Sequence, residues 1–357
     1  MKKTATAGKR PPTPESFILC EIDFVEGLLP FAAEEISARF QRKAQIIDQT
    51  DASLTFRYAG DIRTLNKLRS VQAAYTVEQY AIPRPKALLG DAYWRRFMAQ
   101  IRHILDVLPP NTFRSFSLSA AGTESTVMQR IRQEIAATTG LPEAEKGDLW
   151  IRIRSNGKEW QTLVRTSARP NTTRTWRVCN YEASLNASVA HAMAKLIATE
   201  SLSPVINLGC GSGSLLIEYR AIHAERRLIG IDHDPTLLKC AAQNIAAEGA
   251  GDITLLQGDL RRMPFPSQSF DALTADLPFG QNVGSHEDNV RLYPQILHEA
   301  ARIAQHNAVF VCITHEISLL EGLLASQHAW RIEQTLRVTL RGLHPRIYML
   351  RRTSHTH

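Results

Sequence analysis

Three carboxylates and a glycine-rich loop are spaced so that they could meet at one end of a single sheet. An apolar run, Asp271-Ala272-Leu273-Thr274-Ala275, delivers Asp276 and then a stiff turn, Leu277-Pro278-Phe279-Gly280. A carboxylate followed at once by a proline-stiffened turn and an aromatic ring has the parts for handling an exocyclic amine on a planar base. Asp276 accepts one N–H, a neighbouring backbone carbonyl accepts the other, and Phe279 stacks on the ring. Such a nitrogen is a poor nucleophile, because its lone pair is conjugated with the ring. A site must draw that lone pair out of plane and aim it at an electrophile. No covalent step is needed, and the surplus proton leaves readily to water.

Upstream, the strand Pro204-Val205-Ile206-Asn207-Leu208 runs directly into Gly209-Cys210-Gly211-Ser212-Gly213 and then a helix. Glycines there allow a tight turn and let a ligand press on bare backbone at a helix start. Leu228-Ile229-Gly230-Ile231 ends in Asp232, 23 residues beyond Gly209, where a carboxylate can accept from both hydroxyls of a ribose. Leu255-Leu256-Gln257-Gly258 leads to Asp259, placed to take an adenine amino group. A dinucleotide dehydrogenase shares the loop and Asp232 but has no need of Asp259 or of an amine-holding turn. An adenosyl cofactor with an electrophilic methyl, S-adenosylmethionine, accounts for all four signals. The candidate cofactor-binding residues are Asn207, Gly209, Cys210, Gly211, Gly213, Asp232, His233, Asp259 and Leu260, and the candidate catalytic residues are Asp276, Leu277, Pro278 and Phe279. Neither Cys210 nor Cys312 stands where a thiolate could attack a base at that turn. His286, His315 and His344 receive no catalytic role.

These residues need a frame, and the periodicity supplies one. Strands at 204–208, 227–231, 252–256, 270–275 and 307–313 alternate with helices at 213–223, 235–247 and 289–304, behind a helix from Ala183 to Thr199. Strand–helix alternation implies a parallel sheet covered on both faces. Trp330 to Leu340 and Arg346 to Leu350 read as an antiparallel pair closing it. The first half is different. Short strands at Phe17–Cys20, Ala44–Ile47, Ser53–Tyr58, Ala73–Ile82 and Phe113–Ser119 are interleaved with helices at Leu28–Phe40, Asp61–Arg69, Ala92–Leu108 and Glu124–Thr138, and Leu149–Ile153 with Trp160–Arg165 forms a hairpin. That mixture is α+β.

Charge separates the halves further. Residues 1–180 hold 27 Lys and Arg against 18 Asp and Glu, a net of +9, while residues 181–357 hold 15 against 17, a net of −2. A basic surplus confined to one half suits an anionic polymer. Arg114, Arg152, Arg154, Arg165, Arg169, Arg174 and Arg177 are its candidate phosphate contacts, whereas Trp150 and Trp160, at strand positions, are assigned to packing. No apolar run reaches the roughly 20 residues of a membrane helix, and five scattered cysteines lack metal-ligand spacing. No membrane association and no metal are expected, and a reducing cytoplasm is the expected setting.

Residues 183–352 resemble the class I S-adenosylmethionine methyltransferases. More narrowly, Glu182-Ala183-Ser184-Leu185-Asn186, Asp276-Leu277-Pro278-Phe279-Gly280 and Gly342-Leu343-His344-Pro345-Arg346-Ile347-Tyr348, behind a basic α+β half, are similar to the THUMP-domain tRNA guanine-N2 methyltransferases. The resemblance implies an α/β fold: a Rossmann-like, seven-stranded methyltransferase domain preceded by a ferredoxin-like unit and a THUMP unit that grips the tRNA acceptor end. It also implies that the Asp276–Phe279 turn binds the target guanine. The implied division is a disordered tail (1–15), a ferredoxin-like unit (16–95), a THUMP-like RNA-binding unit (96–168), a linker (169–180) and the methyltransferase domain (181–352). The partner is tRNA and the chain is expected to act as a monomer. The sequence departs from the family at Asn207-Leu208, where Asp-Pro is common, and at Leu277-Pro278-Phe279, where Pro-Pro-Tyr is frequent. Two alternatives stay open: an N6-adenine or N4-cytosine methyltransferase, since the turn serves any exocyclic amine, and a non-catalytic RNA-binding protein with a degenerate cofactor pocket.

Overall fold

Leu54, Phe56 and Tyr58 are buried while Arg57 between them is exposed, so a period of two makes this stretch a strand with one face on a core. The same logic repeats through the computed structural model, which describes residues 17–181, 183–197, 203–279 and 285–353. The tail expected at 1–15, together with Glu182, Thr199 and Gly280 of the stretches quoted above, lies outside the described residues.

The first half runs β1 (Ile18–Asp23), α1 (Leu29–Phe40), β2 (Ala44–Gln49), β3 (Ser53–Tyr58), β4 (Ala73–Tyr80), α2 (Asp91–Val107), β5 (Phe116–Ala120), α3 (Thr126–Thr139), β6 (Leu149–Ser155) and β7 (Trp160–Arg165). Its strands join in one seven-stranded sheet, β2-β3-β1-β4-β7-β6-β5. The seam is the antiparallel pair β4–β7, in register from Tyr75 opposite Arg165 to Tyr80 opposite Trp160. Only β5–β6 is parallel among these pairs. The helix expected over Asp61–Arg69 is a tight 3-10 turn at Ile62–Lys67, begun by the Asp61 carboxylate accepting from the Arg63 backbone N–H.

The second half runs α4 (Ala187–Leu196), β8 (Val205–Leu208), α5 (Ser214–Arg220), β9 (Leu228–Asp232), α6 (Pro235–Glu248), β10 (Ile253–Gln257), β11 (Phe270–Asp276), α7 (His286–Ile303), β12 (Ala304–Thr314), α8 (Ile317–Ser326), β13 (Trp330–Arg337) and β14 (Arg346–Arg352). The order β10-β9-β8-β11-β12-β14-β13 is parallel from β10 through β12, and β14 is antiparallel to both its neighbours. The strand order reverses between β8 and β11, the kind of switch point at which open α/β sheets bind their ligands in a crevice beyond the strands' carboxyl ends. Alternate residues of the central strands serve the two faces: Ile206, Leu208, Leu273 and Ala275 pack on one side, Val205 and Ala272 on the other.

Residues 169–180, expected as a linker, pack as a strap. Asn171 is buried and its Nδ2 donates to Leu65 O and Leu68 O, and Trp176 is also buried. Cys179 is joined to Cys240 of α6 by a disulfide, a pairing that the scattered spacing of the cysteines does not signal. The bridge went unread because its partners, 61 residues apart, are neighbours only once the strap has crossed α6.

Candidate active site

The glycine loop leaves β8 and turns into α5 through three residues with positive φ, Gly209 (64°), Gly211 (51°) and Gly213 (82°). A side chain at Gly211 would meet nothing within 4 Å, so what keeps that position glycine is its left-handed backbone and the open space beside it. The Gly211 N–H donates to Asp232 Oδ2 at 2.8 Å, and the Asp234 N–H donates to Oδ1 at 3.0 Å. The end of β9 thus braces the loop after β8. His233, beside it, is 86% exposed, with Nδ1 3.3 Å from Asp232 Oδ1. Cys210 is buried, and burial pushes its thiol up, away from the thiolate form that a nucleophile uses. Leu260 lies against the loop, 3.6 Å from where a Cβ on Gly209 would stand.

Two polar atoms face this region without partners. Asn207 and Thr274 are register partners across β8 and β11, both buried, and Asn207 Oδ1 and Thr274 Oγ1 have no hydrogen bond. Asn207 Nδ2 donates to Thr274 O, so its remaining atom is an acceptor. A buried acceptor left open costs about 1–3 kcal/mol unless a ligand or water supplies the donor. The ammonium group of S-adenosylmethionine carries such donors, and with the open loop the residues present fit that cofactor. Asp259 is arranged differently. It is half exposed, and both its oxygens accept from Arg261, whose guanidinium holds its carboxyl below the usual range. Receiving an adenine amino group there requires Arg261 to share or swing aside, an exposed rearrangement of small cost.

Asp276 stands at the last position of β11, two residues beyond Thr274 and on the same face. Among the described residues nothing hydrogen-bonds its carboxyl. Part of Asp276 opens to the crevice, yet loss of solvation raises its pKa to about 7. The two observations agree if the carboxyl lies at the floor of a concave opening, where little water reaches it. Leu277 is buried and its N–H donates to Ile313 O, which anchors the turn to β12. Phe279 is partly exposed, its ring 6.2 Å from that of His315 at an interplanar angle of 31°. The structure therefore brings the glycine loop, Asp232, Asn207 and the Asp276 turn to one end of one sheet, with Asp259 at its margin.

The seven candidate arginines are not brought together. Arg114 is 82% exposed, and Arg169 is exposed too. The other five have partners within the chain. Arg152 pairs with Asp23 and lies over the rings of Tyr75 and Trp150, and Arg154 pairs with the buried Glu21. Arg165 is buried and donates to three backbone carbonyls, those of Asp148, Ser167 and Ala168. Arg174 pairs with Glu218, and Arg177 donates to Leu185 O and Ser214 Oγ. A guanidinium can close backbone and carboxylate acceptors left by the packing of sheet and strap, and counting charge along a chain does not reveal it.

Residues that sequence reasoning missed crowd the turn from the far side. Asn289 and Tyr293 of α7 both donate to Pro278 O, at 3.0 and 2.6 Å. A polar pair at i and i+4 on a buried helix face was the available signal. A hollow where the two halves meet, lined among others by Glu26, Asp51, Arg337 and Thr339, is separate from the crevice and contains none of the candidate residues.

The disulfide acts on this same end. Asn244, one turn along α6 from Cys240, donates from Nδ2 to Cys179 O and to Ser212 O of the glycine loop. Reduction of the full chain is expected to lower its stability by about 2–4 kcal/mol, and Cys240→Ser should reproduce the loss. Equal urea midpoints with and without reductant would count against a bridge in solution.

The sequence model of the RMKL-like methyltransferase domain family matches residues 174–346. The chain is 29% identical over 183 residues to the tRNA (guanine(6)-N(2))-methyltransferase THUMP3 of Bos taurus, covering 47% of this chain and 36% of that protein. It is 30% identical over 135 residues to the U6 snRNA (guanine-N(2))-methyltransferase THUMPD2 of Bos taurus, covering 38% and 26%. It thus spans about a third of the length of the curated relatives it matches. In fold it is similar to the crystal structure of TrmN from Thermus thermophilus, with a TM-score of 0.74 at 21% identity over 94% of this chain and 99% of that one. SMU.472 complexed with SAH gives 0.69 at 14% identity over 96% and 99%.

Proposed function

We propose, from the match of residues 174–346 to the RMKL-like methyltransferase domain model, that the chain methylates the exocyclic N2 of a guanosine in tRNA. The observation that carries the reading is the Asp276 carboxyl, in a desolvated crevice with no donor from the described residues. Bound at the glycine loop, S-adenosylmethionine supplies an electrophilic methyl. Asn207 Oδ1 is its buried acceptor, Asp232 holds the loop and meets the ribose hydroxyls, and Asp259 takes the adenine amine. Gly209, Cys210, Gly211 and Gly213 present backbone to it, with His233 and Leu260 at the rim.

Asp276 then meets the base. An ionised carboxylate offers two acceptors and no donor. The guanine edge presents N1–H beside the N2 amine, two donors in a row, which a carboxylate receives in bidentate fashion. Adenine and cytosine each present a donor beside an acceptor on the corresponding edge, which suits an amide better than a carboxylate. That difference favours guanine. Leu277 and Pro278 shape the turn and Phe279 stacks on the ring.

The domain division given above belongs to this proposal. The module of residues 16–168, ferredoxin-like then THUMP-like, is assigned the RNA, with the exposed Arg114 and Arg169 as its leading phosphate contacts. The cytoplasm is the setting that an RNA of this kind implies.

Incubating the protein with unmodified tRNA transcripts and labelled cofactor, then identifying the product nucleoside, tests the reading. N2-methylguanosine is the expected product. N6-methyladenosine or N4-methylcytidine would replace the substrate, transfer to U6 snRNA alone would replace the partner, and the absence of cofactor binding at millimolar concentration would leave a non-catalytic RNA-binding protein.

A further inference from the structure

Proline has no N–H, so a turn built on Leu277-Pro278-Phe279 cannot be anchored through its middle residue's donor. Beyond the Leu277 N–H, which donates to Ile313 O, anchoring falls on the Pro278 carbonyl, and two buried side chains of α7 take it. Tyr293 Oη donates at 2.6 Å and Asn289 Nδ2 at 3.0 Å. The tyrosine's single hydrogen is committed to Pro278 O, so in its 2.7 Å contact with Thr314 Oγ1 the threonine must be the donor. Thr314 Oγ1 in turn accepts from the Glu316 backbone N–H at 2.9 Å. The result is a directed chain from Glu316 N–H through Thr314 and Tyr293 to Pro278 O, in which each bond polarises the next.

Asn289 closes a second side. Its Nδ2 also lies 3.3 Å from Glu316 Oε1, and Glu316 Oε2 lies 2.9 Å from His286 Nδ1. Both neighbours of Nδ2 are acceptors, which fixes the amide's orientation. Its Oδ1 is buried without a partner. A position that served packing alone would shed that uncompensated oxygen by carrying an apolar residue. What an asparagine adds there is its N–H on the turn.

We propose that Asn289 and Tyr293 are positioning residues for the transfer. They saturate the Pro278 carbonyl and lock the peptide plane that leads into Phe279, so that Asp276 and the stacking ring keep one relative geometry. The inference rests on the amine-transfer reading of the turn. A displacement of about 1 Å in such an arrangement costs on the order of 100-fold in rate.

The test uses the full chain with Tyr293→Phe, which removes only the hydroxyl, and Thr314→Val, which cuts the same hydrogen-bond chain from β12 without altering a residue of α7. Two readouts are taken. Amide hydrogen exchange, which needs no substrate, is expected to speed up at the turn in both variants and nowhere else in the second half. With wild-type transfer to tRNA transcripts as reference, kcat is expected to fall roughly 10- to 100-fold while the KM for RNA and the cofactor affinity stay within about twofold. Unchanged exchange at the turn overturns the proposal, as does a lowered melting temperature with kcat intact. If the wild-type chain methylates no RNA, the functional reading fails, while the exchange result still decides whether these side chains hold the turn.

Discussion

Asp276→Ala is expected to lower the rate of methyl transfer by a factor of about 1,000, with cofactor affinity nearly unchanged. The carboxylate lies at the end of β11, beyond the loop that holds the cofactor, so its removal strips the acceptor for the amine and leaves Gly209–Gly213 and Asp232 intact. Its titration adds a second expectation. Burial holds the pKa at about 7, and the base requires the ionised form, so kcat/KM should rise with pH through that value and level off above it. The sign for stability is the reverse. A folded-state pKa above the unfolded value near 3.8 means that the folded chain binds the proton more tightly between the two. Stability is therefore greatest below that window and falls as pH rises to about 7, by roughly 2–4 kcal/mol once the crevice's partial hydration is allowed for. Asp276→Asn should then be inactive or nearly so, yet melt several degrees higher than the wild type at about pH 8. An asparagine variant with full activity, or with a lower melting temperature at that pH, would contradict the assignment.

Glu218→Gln is expected to cost about 3–5 kcal/mol. Glu218 sits in α5 with its side chain fully buried, and three groups converge on it. Arg69 Nη1 reaches Oε2 at 3.1 Å from the first half, Arg174 Nε reaches Oε1 at 2.7 Å from the strap, and His191 Nδ1 stands 3.2 Å away in α4. Burial by itself would raise this carboxyl, but the His191 ring and the guanidiniums of Arg174 and Arg69 outweigh it and bring it to about 2. Its contribution is complete above the ordinary carboxylate value of 4.5 and is lost as pH falls from there towards 2. Neutralising it leaves guanidiniums facing each other across the junction of the halves. Urea unfolding at about pH 7 measures the loss, and a change under roughly 1 kcal/mol would mean that the junction is held by its apolar contacts alone.

The core of the second half could be read from the sequence to within a few residues, because β8, β9 and β10 are short, largely apolar and bounded by polar turns. Val205–Leu208, Leu228–Asp232 and Ile253–Gln257 fall where the alternation puts them. The loop and the carboxylates at their ends are set by covalent spacing, so the strand pattern alone suffices to place Asp232 and Asp276. Side-chain partners across the chain have no such signal. Arg165 and Arg174 count as surface charge in a composition, and only the fold reveals the carbonyls and the glutamate that receive them. Cys179 and Cys240 carry no spacing that distinguishes a pair. α8 (Ile317–Ser326) has no counterpart among the expected elements, although Ile317, Leu320 and Leu324 repeat at helical spacing beyond the polar His315-Glu316. Residues 16–95 and 96–168 look separable in sequence, yet β4 and β7 zip them along six residue pairs.

Hydrogen-bonded strands continue from β2 to β5 without a gap, so the first half is one plate rather than two hinged leaves. The knot of Arg69, Arg174 and Glu218 ties that plate to the helix layer on the sheet bearing Asp276. The span from anything gripped on the plate to that carboxylate is then a fixed length, like a caliper locked at one opening. If the proposed RNA is gripped on the plate, only a molecule that spans this length would bring a base to the carboxylate.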